Sequence, residues 1–244
     1  VHSSENHGHW ESFTATISVG GIARRATAVQ NIRKEGGNVV LVDSGDIAQG
    51  TLYYVEHRMV EAREFYGALG YDAVTIGNHE FNFGPKTLAD NFVTGAKFGI
   101  VSSNLDFASE PSLAGKIPAT LVKTVGGEKI GFIGIVWDDF ASATSPGPNV
   151  KVKNTMDAIK GAVADLDKQG VNKVIALSHR GYEDDVALAA KVEGVDVIVS
   201  GHTDTLLGDP AKLDKSLGAP VGAYPTVVKS PSGNPVLVVH ANIW

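Results

Sequence analysis

Asn38-Val39-Val40-Leu41-Val42-Asp43-Ser44-Gly45-Asp46 runs from an unbroken apolar stretch straight into a short polar turn. The apolar part has the length and branched content of a buried strand, and the turn places two carboxylates around a glycine. The same order recurs three times. Asp72-Ala73-Val74-Thr75-Ile76 leads into Gly77-Asn78-His79-Glu80, Lys173 to Leu177 into Ser178-His179-Arg180-Gly181, and Val195 to Val199 into Ser200-Gly201-His202-Thr203-Asp204. Glu5-Asn6-His7-Gly8-His9 adds a polar cluster near the start. One such turn reads as a helix cap or a solvated loop. Four of them, each directly after a buried strand, point to a single crevice beyond the carboxyl ends of a sheet, where α/β proteins bind ligands.

Between these strands lie amphipathic stretches. Ile22, Ala26, Val29 and Ile32 recur at helical spacing before a stop at Gly36-Gly37, and a second helix is predicted from about Tyr54 to Leu69, ending at Gly70. Ala119 to Val125 and Lys129 to Val136 flank Gly126-Gly127 as a hairpin, and Pro225 to Lys229 and Pro235 to Val239 form another around Ser232-Gly233-Asn234. Met156, Ile159, Val163 and Leu166 mark a helix capped by Asn154 or Thr155. Segments 142–149 and 207–224, rich in Gly and Pro, read as surface loops. The expected fold is α/β (α+β): two stacked mixed β-sheets flanked by helices. At 244 residues the chain is expected to form one domain.

Composition excludes several functions. Lys and Arg number 21 against 27 Asp and Glu, for a net charge of −6 with no basic run, which argues against a nucleic-acid polymer as partner. The absence of cysteine removes disulfides, thiolate zinc sites and a cysteine nucleophile. No apolar stretch approaches the ~20 residues of a membrane span. Carboxylates, imidazoles and an amide oxygen without sulfur suit Mn²⁺, Zn²⁺, Fe or Co²⁺ better than Ca²⁺. The ligands suffice for two divalent ions sharing one carboxylate. Such ions, ~3.5–4 Å apart, polarise a phosphoryl oxygen and generate hydroxide near neutral pH.

Taken in order, Gly45-Asp46, Gly77-Asn78-His79-Glu80, His179 and Gly201-His202 resemble the motifs of the calcineurin-like metallophosphoesterase superfamily. Gly45 to Thr51, Gly77 to Asn82, Val19 to Arg24 and Tyr224 to Val228 resemble its 5′-nucleotidase branch in particular. The resemblance implies a four-layer metallophosphoesterase sandwich. It also implies that Asp46 bridges both ions, that Asn78, His179 and His202 complete one shell, and that His7, Glu5 and Asp204 serve the other. His79 would stabilise charge on the phosphoryl group or protonate the leaving oxygen, with Asn82 orienting it, and Arg180 would touch substrate. The implied activity is release of phosphate from nucleoside monophosphates or related small esters, in the periplasm or outside the cell. No signal peptide is read in the chain.

Three positions depart from the family pattern. Glu5 stands where the family usually has Asp, and Asp204 replaces the usual His, adding negative charge that favours hard cations. Asn82 replaces the Asp that commonly orients the catalytic histidine; relatives acting on 2′,3′-cyclic nucleotides often carry Asn there. A cyclic-nucleotide phosphodiesterase/3′-nucleotidase is therefore an alternative, as is a degenerate metal- or nucleotide-binding domain without turnover. Residues 1–244 are expected to be the catalytic domain alone, without the family's C-terminal specificity domain. Oligomeric state is left open.

Overall fold

The structure is a computed structural model that describes residues 1–14 and 18–243. Its short apolar runs pair in parallel, which requires crossovers between them and buries both sheet faces. Strands β1 (His2–Ser3), β2 (Val42–Asp43), β3 (Ala73–Val74) and β4 (Gly99–Ile100) form a parallel sheet in that order. A second sheet contains β5 (Thr120–Val125), β6 (Glu128–Val136), β7 (Val174–His179), β8 (Val197–Ser200), β9 (Thr226–Lys229) and β10 (Pro235–His240), ordered β9-β10-β8-β7-β6-β5. Its four central strands are parallel, and the two hairpins anticipated from the sequence supply antiparallel edges.

Six α-helices occur among the described residues: α1 (Ile22–Lys34), α2 (Leu52–His57), α3 (Val60–Leu69), α4 (Gly84–Thr87), α5 (Thr155–Lys168) and α6 (Tyr182–Ala189). Val42, Ala73, Val101, Phe132, Leu177, Val199 and Val239 fill the space between the sheets. Outside the first sheet, Val29 of α1 and Ala62, Tyr66 and Leu69 of α3 join a core with Ile76 and Phe92. Outside the second, Ile159 and Leu166 of α5 and Leu188 of α6 pack on Ile133, Val174 and Ile198. The result is the expected stack of helices, sheet, sheet and helices. The sheets approach so closely at Gly134 that a β-carbon there would overlap the Val101 carbonyl and the Thr75 hydroxyl.

Two local expectations need correction. The single helix predicted over 54–69 is two helices, because Arg58 (φ 52°) and Met59 (φ 75°) are both left-handed. The break buries Met59 and sets the Arg58 guanidinium 3.4 Å over the Phe83 ring. The apolar period continues across it, so spacing alone does not reveal it. The strand predicted over 38–43 keeps only Val42–Asp43 in the ladder; the Leu41 amide donates instead to the Asp72 carboxylate at 2.9 Å. Helices α4 and α6, and the π-helical turn at Leu88–Val93, were not anticipated. Of the two caps considered for α5, Asn154 is the one used, accepting from the Asp157 amide at 3.1 Å.

Phe132 is fully buried between the sheets. Replacing it with Ala removes a ring no neighbour can refill, and Phe132→Ala should lower unfolding free energy by about 3–5 kcal/mol in a urea titration. A loss under about 1 kcal/mol would mean that the sheets do not close on this ring.

Candidate metal centre

Because β2 and β3 run parallel, as do β7 and β8, their polar turns emerge at one end of each sheet. Two hydrogen bonds lock those ends together: the Ser44 hydroxyl donates to the Ser200 carbonyl at 3.0 Å, and His179 Nδ1 donates to the Ser44 carbonyl at 2.9 Å. A carbonyl only accepts, so Nδ1 carries the proton, and neutral His179 presents a lone pair at Nε2.

That lone pair belongs to one of two donor sets. Asp46, His179 and His202 have ligand atoms within 4.8 Å of one another, as do Glu5, His7 and Asp204. His179 Nε2 lies 3.0 Å from Asp46 Oδ2, and His7 Nε2 lies 3.3 Å from Glu5 Oε2. A third grouping of His7, Asp46 and His79 joins the two sets, with His79 Nε2 3.9 Å from Asp46 Oδ2. Buried polar atoms are ordinarily hydrogen-bonded. Asn78 Oδ1 and His179 Nε2 are buried and have no hydrogen-bond partner, His179 lying off hydrogen-bond geometry to Asp46 despite the short distance. Orphaned acceptors beside buried carboxylates are what a cation site requires, so this oxygen and nitrogen donor set fits divalent metal ions.

The backbone is bent to bring these groups together. Glu5 (φ 50°), His7 (φ 48°), Asp46 (φ 53°), His202 (φ 79°) and Asp204 (φ 49°) are all left-handed, a conformation that non-glycine residues keep only when surrounding contacts hold it. Glu80 supplies many of those contacts. Fully buried, it accepts from the backbone amides of Gly77 (2.7 Å), Asp46 (3.0 Å), Ile47 (2.8 Å) and Ala48 (2.9 Å), sewing the β2 turn to the β3 turn. Gly77 leaves room for the Asp46 carboxylate, which occupies the place a β-carbon would take. On the other side Asp43 accepts from the Gly45 amide at 2.9 Å and from the hydroxyls of Tyr66 (2.8 Å) and Ser3. Glu5 uses its length: Oε1 accepts the His202 amide while Oε2 faces His7. The Trp137 ring stacks on His202 at 5.2 Å between centroids.

Without cations His179 takes up part of the negative charge. Burial alone would lower the His179 imidazolium pKa, but Asp46 and Glu5 outweigh it and lift it to about 10. Burial likewise opposes ionisation of Asp46, yet His179 beside it holds its carboxyl below the usual range. His202 is pushed down by burial and by the charge on His179, and Asp204 is pushed up by burial and by Glu5. Burial and the nearby Asp46 charge raise Glu80 to about 7, against the pull of its backbone donors.

All seven residues expected as ligands lie at these turns. Asn82 contacts His79 Nδ1 through its amide at 3.1 Å. Arg180 is held by Asp138 at 3.0 Å, so its expected place against substrate has a competitor within the chain. Sequence reasoning gave no role to Glu80, Asp43 or Trp137. Glu80 sat inside a quoted motif, but its four partners are backbone groups, which leave no mark in side-chain patterns.

Residues 1–205 match the family described as Calcineurin-like phosphoesterase. The chain is 38% identical over 253 residues to the 5′-nucleotidase of Rattus norvegicus, covering 99% of this chain and 43% of that protein. It is 40% identical over 230 residues to that of Diplobatis ommata, covering 93% and 39%. Among solved structures, a 5′-nucleotidase precursor from Thermus thermophilus superposes with a TM-score of 0.95 at 42% identity, covering all of this chain and 48% of that one. The NAD nucleotidase of Haemophilus influenzae superposes with a TM-score of 0.88 at 29% identity, covering 99% and 44%. The chain thus spans less than half the length of these relatives.

His179 ordinarily titrates at 6.5 and is raised to about 10, so its proton stabilises the metal-free fold fully below pH 6.5, and that contribution is lost as pH rises through about 10. A metal ion at Nε2 must displace that proton. Calorimetric titration with Mn²⁺ or Zn²⁺ near pH 8, in buffers of different ionisation enthalpy, should show about one proton released from His179 and an affinity that rises with pH. Binding without proton release would place the ion elsewhere.

Proposed function

This chain belongs to the calcineurin-like phosphoesterase family, and we propose that it is a metal-dependent phosphoester hydrolase of the 5′-nucleotidase type, releasing phosphate from nucleoside monophosphates or related small esters. The observation that carries this reading is the pair of donor sets meeting at Asp46, with His79 alongside. The nucleotidase relatives support the substrate class, although the chain spans about two fifths of the curated ones. Residues 1–244 would act as one catalytic domain, in the periplasm or outside the cell, as that likeness implies.

In this proposal Asp46 would contribute to both metal positions, with Asn78, His179 and His202 available to hold one ion and Glu5, His7 and Asp204 the other. When bound, the ions would hold phosphoryl oxygens and lower the pKa of water toward neutrality, with Mn²⁺ or Zn²⁺ suited to the donors and Fe or Co²⁺ also compatible. The chain itself contributes geometry and a proton donor. The left-handed turns would hold the candidate ligands close together before any substrate arrives, and His79 Nε2 lies 3.9 Å from Asp46 Oδ2. From there it can donate to a phosphoryl oxygen or to the departing alcohol. A second reading, hydrolysis of a 2′,3′-cyclic nucleotide, rests on Asn82, which contacts His79 where monoesterase relatives commonly have Asp.

Metal-stripped protein given AMP should release phosphate only after Mn²⁺ or Zn²⁺ is restored. Asp46→Ala should abolish release, and His79→Ala should lower kcat by roughly 10²–10⁴-fold. Hydrolysis of 2′,3′-cyclic AMP in place of AMP would favour the diester reading. No turnover of either, with metal bound, would contradict the enzyme assignment.

A further inference from the structure

His79 is a donor only if a proton sits on Nε2, and a neutral imidazole has one proton for two nitrogens. The partner at Nδ1 therefore decides whether the catalytic face can donate. A carboxylate there accepts the proton of Nδ1 and leaves Nε2 bare. An amide can do either, according to which of its ends faces the ring.

At Asn82 a third residue bears on that choice. Thr144 Oγ1 donates to Asn82 Oδ1 at 3.0 Å, and Asn82 Nδ2 lies 3.1 Å from His79 Nδ1, with Oδ1 farther from the ring at 3.3 Å. A hydroxyl proton on Oδ1 favours the orientation in which the amide NH₂ turns to the imidazole. Two buried residues flank Thr144 in its loop. Phe140 is fully buried, with its ring 5.4 Å from that of Phe81, two residues after His79, and Pro146 is buried on the other side of Thr144.

We propose that Thr144 is a positioning residue: its hydrogen bond orients the Asn82 amide as a donor to His79 Nδ1, which places the proton of neutral His79 on Nε2, toward the phosphoryl group. This inference rests on the phosphohydrolase reading for its consequence, but not for its test. Asn82 on this account is a different device from the Asp it replaces: a neutral donor chain, Thr144 to Asn82 to His79, in place of a carboxylate that takes the ring's proton.

Long-range ¹H–¹⁵N spectra of the histidine-labelled full chain, with His79→Gln used for assignment, read the tautomer directly. At alkaline pH His79 should show an unprotonated Nδ1 and a protonated Nε2. Thr144→Val should move both shifts toward a mixture of tautomers, Thr144→Ser should restore the original pattern, and Asn82→Asp should transfer the proton to Nδ1. On the nucleotide substrate, Thr144→Val should lower kcat roughly tenfold with KM nearly unchanged, as is usual for partners that orient a reacting histidine. A protonated Nδ1 in the unmodified chain, or a tautomer indifferent to Thr144→Val, would overturn the proposal. Absence of turnover beside the expected shifts would count against the phosphohydrolase reading alone.

Discussion

Asp46 Oδ2 stands 3.0 Å from His179 Nε2 and 3.9 Å from His79 Nε2, and much of the molecule is arranged to keep it there. A buried carboxylate among histidines and further acids is costly to maintain in a folded chain unless its charge is matched. The structure meets that requirement by rigidity. Parallel pairing in two sheets delivers the polar turns to one end, Glu80 ties the Asp46 turn to the Asn78 turn through four backbone amides, and Asp43 steadies the same loop from below. Five ligand candidates in left-handed conformations record the strain that this arrangement tolerates.

The departures from the family pattern acquire a physical sense once these contacts are seen. Glu5 is longer than the Asp it replaces, and the extra reach lets one oxygen take the His202 amide while the other meets His7. It therefore joins the first turn of the chain to the His202 turn as well as contributing charge. Asn82 loses a carboxylate but gains an amide that Thr144 can orient. Neither change leaves the site without a local partner, which argues against reading either as simple decay.

How far the site was legible in the sequence depended on the range of each contact. The polar turns could be read because each is a local event: an apolar run followed within a few residues by a glycine and a carboxylate or imidazole. The two-sheet core followed from the same runs and from the hairpins at Gly126-Gly127 and Ser232-Gly233. What escaped were relations between segments. Thr144 is 62 residues from Asn82, and nothing near it in the chain marks it as a partner. Glu80 could be seen as part of a motif, but its bonds go to main-chain amides. The helix break at Arg58 and Met59 was hidden because both sides continue one apolar period while the turn depends on Phe83 and the buried Met59 side chain.

The central proposal is that Asp46 would serve two metal ions at once. Low-temperature electron paramagnetic resonance of the metal-stripped chain, reloaded with two equivalents of Mn²⁺, tests it most directly. A bridging carboxylate at this position predicts an exchange-coupled spectrum that Asp46→Ala eliminates. A simple six-line signal from isolated Mn²⁺ at full loading, unchanged in Asp46→Ala, would contradict the account.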